Sequence, residues 1–275
     1  MKNGSLRGMK HGWALCVLFV ATGSVAQTQT KPPQVAISKT AAADLRSNDA
    51  AKIRGALDEV RLAGKAGGSA FVAPIVDLLQ KGTTTMLAEA ALDTLGDLEA
   101  EPASAVIAEY AQDRNVRVRQ AATKALVHTK GQAAVRALVR ALSDQDGMVR
   151  GVAANGLGQL KARTAVPDLF LALDHRVNEA SVSIGMLCAA QECEQLSSRV
   201  GKIPFDVVSG GIEQALFRPD IPDDTKIKLV GRVRELGTND ANKFLRETTK
   251  KWPQGGSARV KQALDQAVQA TGGGA

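Results

Sequence analysis

Few residues in this chain could do chemistry, and their spacing limits what they could be. His128 and His175 stand alone: neither has a Cys or His at metal-ligand spacing, and no His-Glu pair or His-x-x-x-His is present. Each reads as a solvated helix end. No Gly-x-Ser-x-Gly elbow presents a nucleophile. Gly156-Leu157-Gly158 and Gly210-Gly211 lack the Lys-Ser or Lys-Thr that completes a phosphate loop. The expectation is a protein without enzymatic activity, metal or cofactor. That leaves the cysteines, of which Cys188 and Cys193 are five apart and Cys16 lies far from both.

What the cysteines can do depends on the compartment. Lys2, Arg7 and Lys10 form a basic start, Trp13 to Ala21 is an apolar run, and Ser24-Val25-Ala26 supplies small residues for a signal peptidase. The run is far short of the ~20 residues that cross a bilayer. Residues 1–26 are therefore expected to be a cleaved signal peptide. The mature chain would begin at Gln27 in the periplasm or outside the cell, with no membrane span left. Cys16 follows Leu15 rather than a small residue, which argues against lipid attachment.

Export puts Cys188 and Cys193 where disulfides persist. Residues five apart in an unbroken helix rise ~7.5 Å, more than the ~4.4–6.8 Å Cα separation a disulfide tolerates. A bond therefore requires the helix to stop at Leu187-Cys188 and Ala189–Glu192 to turn. The competing arrangement is two free thiols packed as small apolar side chains.

The elements around these residues follow from composition and period. The chain of 275 residues is 44% hydrophobic but only 3% aromatic, so its core must be Ala, Leu and Val. Such residues favour helices and argue against a sandwich or barrel. Val118-Arg119-Gln120-Ala121-Ala122 returns 31 positions later as Val149-Arg150-Gly151-Val152-Ala153. A first helix aligns Val76, Ile107, Leu138 and Leu169, and a second aligns Leu95, Leu126 and Leu157. A period of this length means stacked units that cannot bury their apolar faces alone. Asp and Asn at 113–115 and 144–146 are placed to cap the second helices, and Gly96, Gly131 and Gly158 to end them.

A helix pair with Asp before the second helix, Val-Arg at its start, Ala-Ala inside and Leu-Gly at its end resembles the HEAT repeat. It is most similar to the short form found in phycobilisome lyases. The resemblance implies an all-α solenoid of stacked antiparallel helix pairs. Residues 27–43, with Lys31-Pro32-Pro33, form a flexible leader; 44–188 carry the regular repeats; 189–271 form irregular helices of the same solenoid. In the irregular part, 203–217 reads as a helix pair broken at Gly210-Gly211.

Charge varies along the stack. Asp77 to Asp113 holds eight acids and one lysine, whereas Arg114 to Arg163 holds ten basic residues and two acids. Facing charges could simply ladder between units, and Arg119 and Arg150 suit that role because Asp-rich turns lie nearby. Alternatively they form a dipolar face that selects a partner by charge. The second-helix positions not needed for packing are Glu89, Asp93 and Asp97, then Gln120, Lys124 and His128, then Gly151, Asn155 and Gln159. In repeats of this type the second helices line the concave side, so these residues are the candidate binding grid.

Losing residues 1–26 removes Lys2, Arg7 and Lys10 and no acid, so the net charge falls from +7 to +4. With Tyr110 and Trp252 as its only Tyr and Trp after cleavage, the chain lacks the aromatic platforms of a nucleic-acid binder. The expected function is an exported, non-enzymatic scaffold holding a protein or peptide on its concave face. The alternative is lyase-like or cofactor handling, which the resemblance allows and which would require a reactive cysteine or conjugation base beside an apolar groove.

Overall fold

Asp49 sets the start of the first long helix by accepting hydrogen bonds from the Ala51 and Lys52 amides at 2.9 and 3.2 Å. The computed structural model describes residues 36–271, so the expected signal peptide and most of the expected leader lie outside the described residues. In chain order the helices are α1 (Ala41–Asp44), α2 (Ala50–Gly68), α3 (Val72–Gln80), α4 (Thr85–Asp97) and α5 (Ser104–Tyr110). Then come α6 (Val116–Thr129), α7 (Gly131–Ala141), α8 (Gly147–Gln159), α9 (Val166–Asp174) and α10 (Ala180–Leu187). The last are α11 (Ala190–Ser197), α12 (Phe205–Phe217), α13 (Asp223–Arg234), α14 (Asn239–Lys251) and α15 (Ala258–Thr271).

They form two rows of an all-α solenoid, odd-numbered helices in one and even-numbered in the other. The 31-residue sets are its core. Leu95, Leu126 and Leu157 have no solvent exposure, nor do Ala91, Ala122 and Ala153 between the rows. Ile107, Leu138 and Leu169 match them from the odd row. Burying one such side chain stabilises by about 1.5–3 kcal/mol, and alanine lets the helices approach. From α2 to α12 the even row packs closely and the odd row much more loosely. In a curved stack the closer row lies on the inside. Beyond α12 the relation reverses, with α11, α13 and α15 closer than α12 and α14.

Capping repeats as well. Asn115 accepts from the Arg117 amide at 3.0 Å, and Asp146 accepts from the Val149 amide at 3.0 Å. Asp113 and Asp144 each accept from the amide two residues on, at 2.7 and 2.8 Å, closing the same turn twice.

Several expectations need correcting. Order begins before residue 44: Ala41 and Leu45 are buried, and the Ser38 amide donates to Glu59 at 2.9 Å. The run Ala50–Gln80 has the length and hydropathy of a membrane span, but Gly64 breaks it at φ 63°. Its Leu57, Val60, Ile75 and Leu79 face the core of the stack. Residues 205–217 are one helix, not a broken pair.

Gly96 and Gly158 fall next to the last residues of α4 and α8, as expected, but they are not left-handed stops. They lie inside α4 and α8, where a Cβ would press on Ala125 and Ser183 of the next helix in the row. The left-handed residues are instead Glu99, Lys130 and Lys161, at φ 49°, 61° and 54°, themselves 31 apart. Gly131, at φ 79°, follows Lys130 and opens α7.

Candidate functional site

The even-row face of α4, α6 and α8 carries the predicted grid, but its members are not equally free. Asp97 bonds to Arg61 of α2 at 2.5 Å. Glu89 accepts from Arg117 of α6 at 2.9 Å, while its other oxygen is buried without a partner. Gln120 donates to Asp146 at 3.1 Å, bracing the cap of α8. Gly151 is buried, and a Cβ there would meet the Glu179 carboxylate. These four belong to the stack itself.

Asp93, Lys124, His128, Asn155 and Gln159 make no side-chain hydrogen bond among the described residues. All but Asp93 are exposed. Asp93 is half-buried, and that burial pushes its carboxyl above the ordinary carboxylate range. Arg61 and Lys124 oppose the rise, while Asp97 and Glu89 add to it. The face is therefore acidic on α4 and basic to neutral on α6 and α8.

Charge laddering between units is real at the edges. Lys65 and Lys130 approach Glu99 from either side, at 2.8 and 3.6 Å. Arg119 engages Asp144 of the following unit with both side chains largely buried, 15% and 11% exposed. Its Nε and Nη2 donate to the two carboxylate oxygens at 2.8 and 2.9 Å. Burial alone would raise Asp144, but Arg119 and the Asp146 amide overcome it and hold the carboxyl below its usual value.

Arg150, at the matching position, makes no such pair. Its Nη1 donates to the Asp144 and Gln145 carbonyls at 2.8 and 2.9 Å, and residue 175 is histidine where the period would place aspartate. Sequence reasoning treated the two arginines alike. The signal it missed was His175, 31 positions after Asp144.

Cys188 and Cys193 lie at disulfide distance, with Cα atoms 5.3 Å apart. Helix α10 stops at Leu187 as expected, but the turn is shorter than expected. Cys188 and Ala189 leave the helix, and Cys193 already belongs to α11. Arg218 closes the junction, donating to the Gly185 and Cys188 carbonyls at 3.1 and 2.8 Å.

Paired helices in two rows, with polar side chains left over on one face, define a helical-repeat protein. A family model described as HEAT repeats matches residues 72–158 and 104–182, and this segment is built of HEAT-like repeats. A search of curated proteins finds no match.

Among solved structures, the chain is similar to the complex of CpcE and CpcF of phycocyanin lyase from Nostoc sp. PCC7120. That likeness has 17% identity, covers 90% of this chain and 99% of that one, and has a TM-score of 0.47. A designed armadillo repeat protein is 14% identical over 84% of this chain and 98% of its own, with a TM-score of 0.42. Human deoxyhypusine hydroxylase in complex with glycerol is 14% identical over 85% of this chain and 95% of its own, with a TM-score of 0.38. None of these likenesses says what the chain binds.

Proposed function

We propose that this protein is an exported, non-enzymatic HEAT-repeat scaffold that holds a protein or peptide partner on the even-row face of α4, α6 and α8. One observation carries the reading. On the closely packed row, Asp93, Lys124, His128, Asn155 and Gln159 make no side-chain hydrogen bond within the stack among the described residues. Exposed polar residues are the default on any surface. Here, however, they share a face with acids and bases segregated by helix, which suits recognition by charge. Export is supported by the pattern of residues 1–26 and by two cysteines at bonding distance. The second reading, a lyase-like or cofactor-handling protein, needs a free thiol or conjugation base. Cys188 and Cys193 are engaged with each other.

The test is affinity capture from the native envelope fraction with the mature chain, compared with two double variants. Asp93→Asn with Lys124→Glu alters the even-row face; Glu109→Lys with Arg136→Glu alters exposed sites on the odd row. The first pair should weaken capture at least tenfold while helicity stays put and the melting midpoint does not fall. Loss of capture only in the second pair would move the site to the other row.

A further inference from the structure

Two clefts on one edge of the stack are the same place in consecutive units. The first is lined by Arg119, Arg140 and Asp144, the second by Arg150, Leu171 and His175, each 31 residues on. In the first, Arg119 is anchored through Nη1 to the Asp113 and Arg114 carbonyls at 3.1 and 3.3 Å. Its remaining edge, Nε with Nη2, grips the Asp144 carboxylate. In the second, Arg150 repeats the anchorage one unit later, on the Asp144 and Gln145 carbonyls. Its Nε and Nη2 have no acceptor among the described residues. We infer that the Arg150 cleft is a seat for an aspartate or glutamate side chain of a partner polypeptide, filling the place that Asp144 fills one unit earlier.

The chemistry of the cleft fits that occupant. A guanidinium held through one nitrogen presents a rigid pair of donors matched to a carboxylate. The seat is a cleft of about 390 Å³, walled by Val139, Leu142 and Val177. Leu171, 58% exposed at its rim, replaces the Arg140 of the earlier cleft. An acidic residue with an apolar neighbour would cover both features. Asp168 also lines the cleft, where the earlier one has Ala137, yet it forms no hydrogen bond or ion pair with Arg150. It disfavours a multiply charged anion more than a single carboxylate. The seat lies at the edge of the stack, outside the even-row grid. Capture can therefore fail in the Asp93/Lys124 variant with this seat intact, and the reverse.

The chain supplies its own probe: the acetylated, amidated peptide Leu-Ser-Asp-Gln-Asp-Gly, a copy of residues 142–147 that contain Asp144. NMR of the arginine Nε–H groups of the mature chain reads the result, with Arg150 assigned by its loss in Arg150→Lys. Millimolar peptide should move the Arg150 signal toward the position of Arg119, and the peptide with both aspartates replaced by asparagine should leave it in place. His175→Asp should shift the signal in the same direction without peptide and abolish the response. Asp168→Asn should strengthen the response at least twofold. No movement with the acidic peptide, equal movement with the neutral one, or movement with inorganic phosphate alone would overturn the proposal.

Discussion

Arg119 and Asp144, 25 residues apart, are joined by two parallel hydrogen bonds across the boundary between consecutive units. Charges this little exposed are not interchangeable with a surface pair. Removing one partner leaves the other desolvated, whereas an exposed pair such as Arg259 with Asp224 stabilises by under ~1 kcal/mol. Arg119→Ala should therefore lower stability by about 2–4 kcal/mol in urea unfolding, and Arg259→Ala by under ~1 kcal/mol. Similar losses in the two variants would mean that the buried pair is no stronger than the exposed one.

The same pair sets a response to acid. Asp144 lies below its usual value because Arg119 and the Asp146 amide overcome its burial. Hydrogen bonds from Arg199 and Arg218 likewise hold Asp174 and Asp220 down. A carboxyl depressed in the folded state adds stability above its unfolded value, near ~3.9, and loses it as pH falls through the folded value. Unfolding midpoints should thus drop below about pH 4, and Asp144→Asn should flatten that drop. An unchanged slope in the variant would exclude Asp144 as a contributor.

Asp93 behaves in the opposite sense. Burial raises its carboxyl, so its contribution is fully present below the ordinary carboxylate value and lost as pH rises through the raised one. At neutral pH the ionised group costs stability. Asp93→Asn should raise the urea midpoint slightly at pH 7 and leave it unchanged at pH 3. A lower midpoint at pH 7 would show that Arg61 and Lys124 outweigh the burial.

Intact mass of the chain purified from its native cells checks two expectations at once: a start at Gln27, and two hydrogens fewer than the reduced form from the Cys188–Cys193 bond. Two titratable thiols in the unreduced, denatured protein would rule the bond out. So short a loop restricts the unfolded chain only modestly, so replacing both cysteines by alanine should cost about 1–3 kcal/mol and not abolish folding.

Glycines separate into two kinds. A Cβ at Gly185 would collide with the backbone of Gly211, whereas one at Gly55 meets nothing within 4 Å. Gly185→Ala should destabilise by about 1–3 kcal/mol or more through overpacking. Gly55→Ala should stabilise by about 0.5–1 kcal/mol, because glycine is a poor helix residue. Thermal melting of the two variants should shift in opposite directions.

The regular repeats were legible because their determinants are local and periodic. Leu126 is buried for the same reason as Leu95 and Leu157, and the caps at Asn115 and Asp146 are written next to the helices they start. What the sequence hid depends on contact between units. Nothing near Gly158 reveals that Ser183 will press against it. Lys130 and Lys161 adopt left-handed backbones that residue type does not announce. The grid residues do lie on α4, α6 and α8, but Glu89, Asp97 and Gln120 are bonded to neighbouring units. Only contact between folded units separates them from Lys124 and Asn155.

The close approach of α10 and α12, where Gly185 meets Gly211 and Gly211 meets Ser181, gives the junction between the regular and irregular helices a mechanical meaning. A one-dimensional stack bends where its joints are slack. This joint has no room for even a methyl group, and Arg218 and the cysteine pair clamp the chain beside it. The junction is therefore a stiff splice, not a hinge. Compliance resides instead in the loosely packed odd row of the regular units. Drawing that row together would flatten the even-row face while the splice held its form.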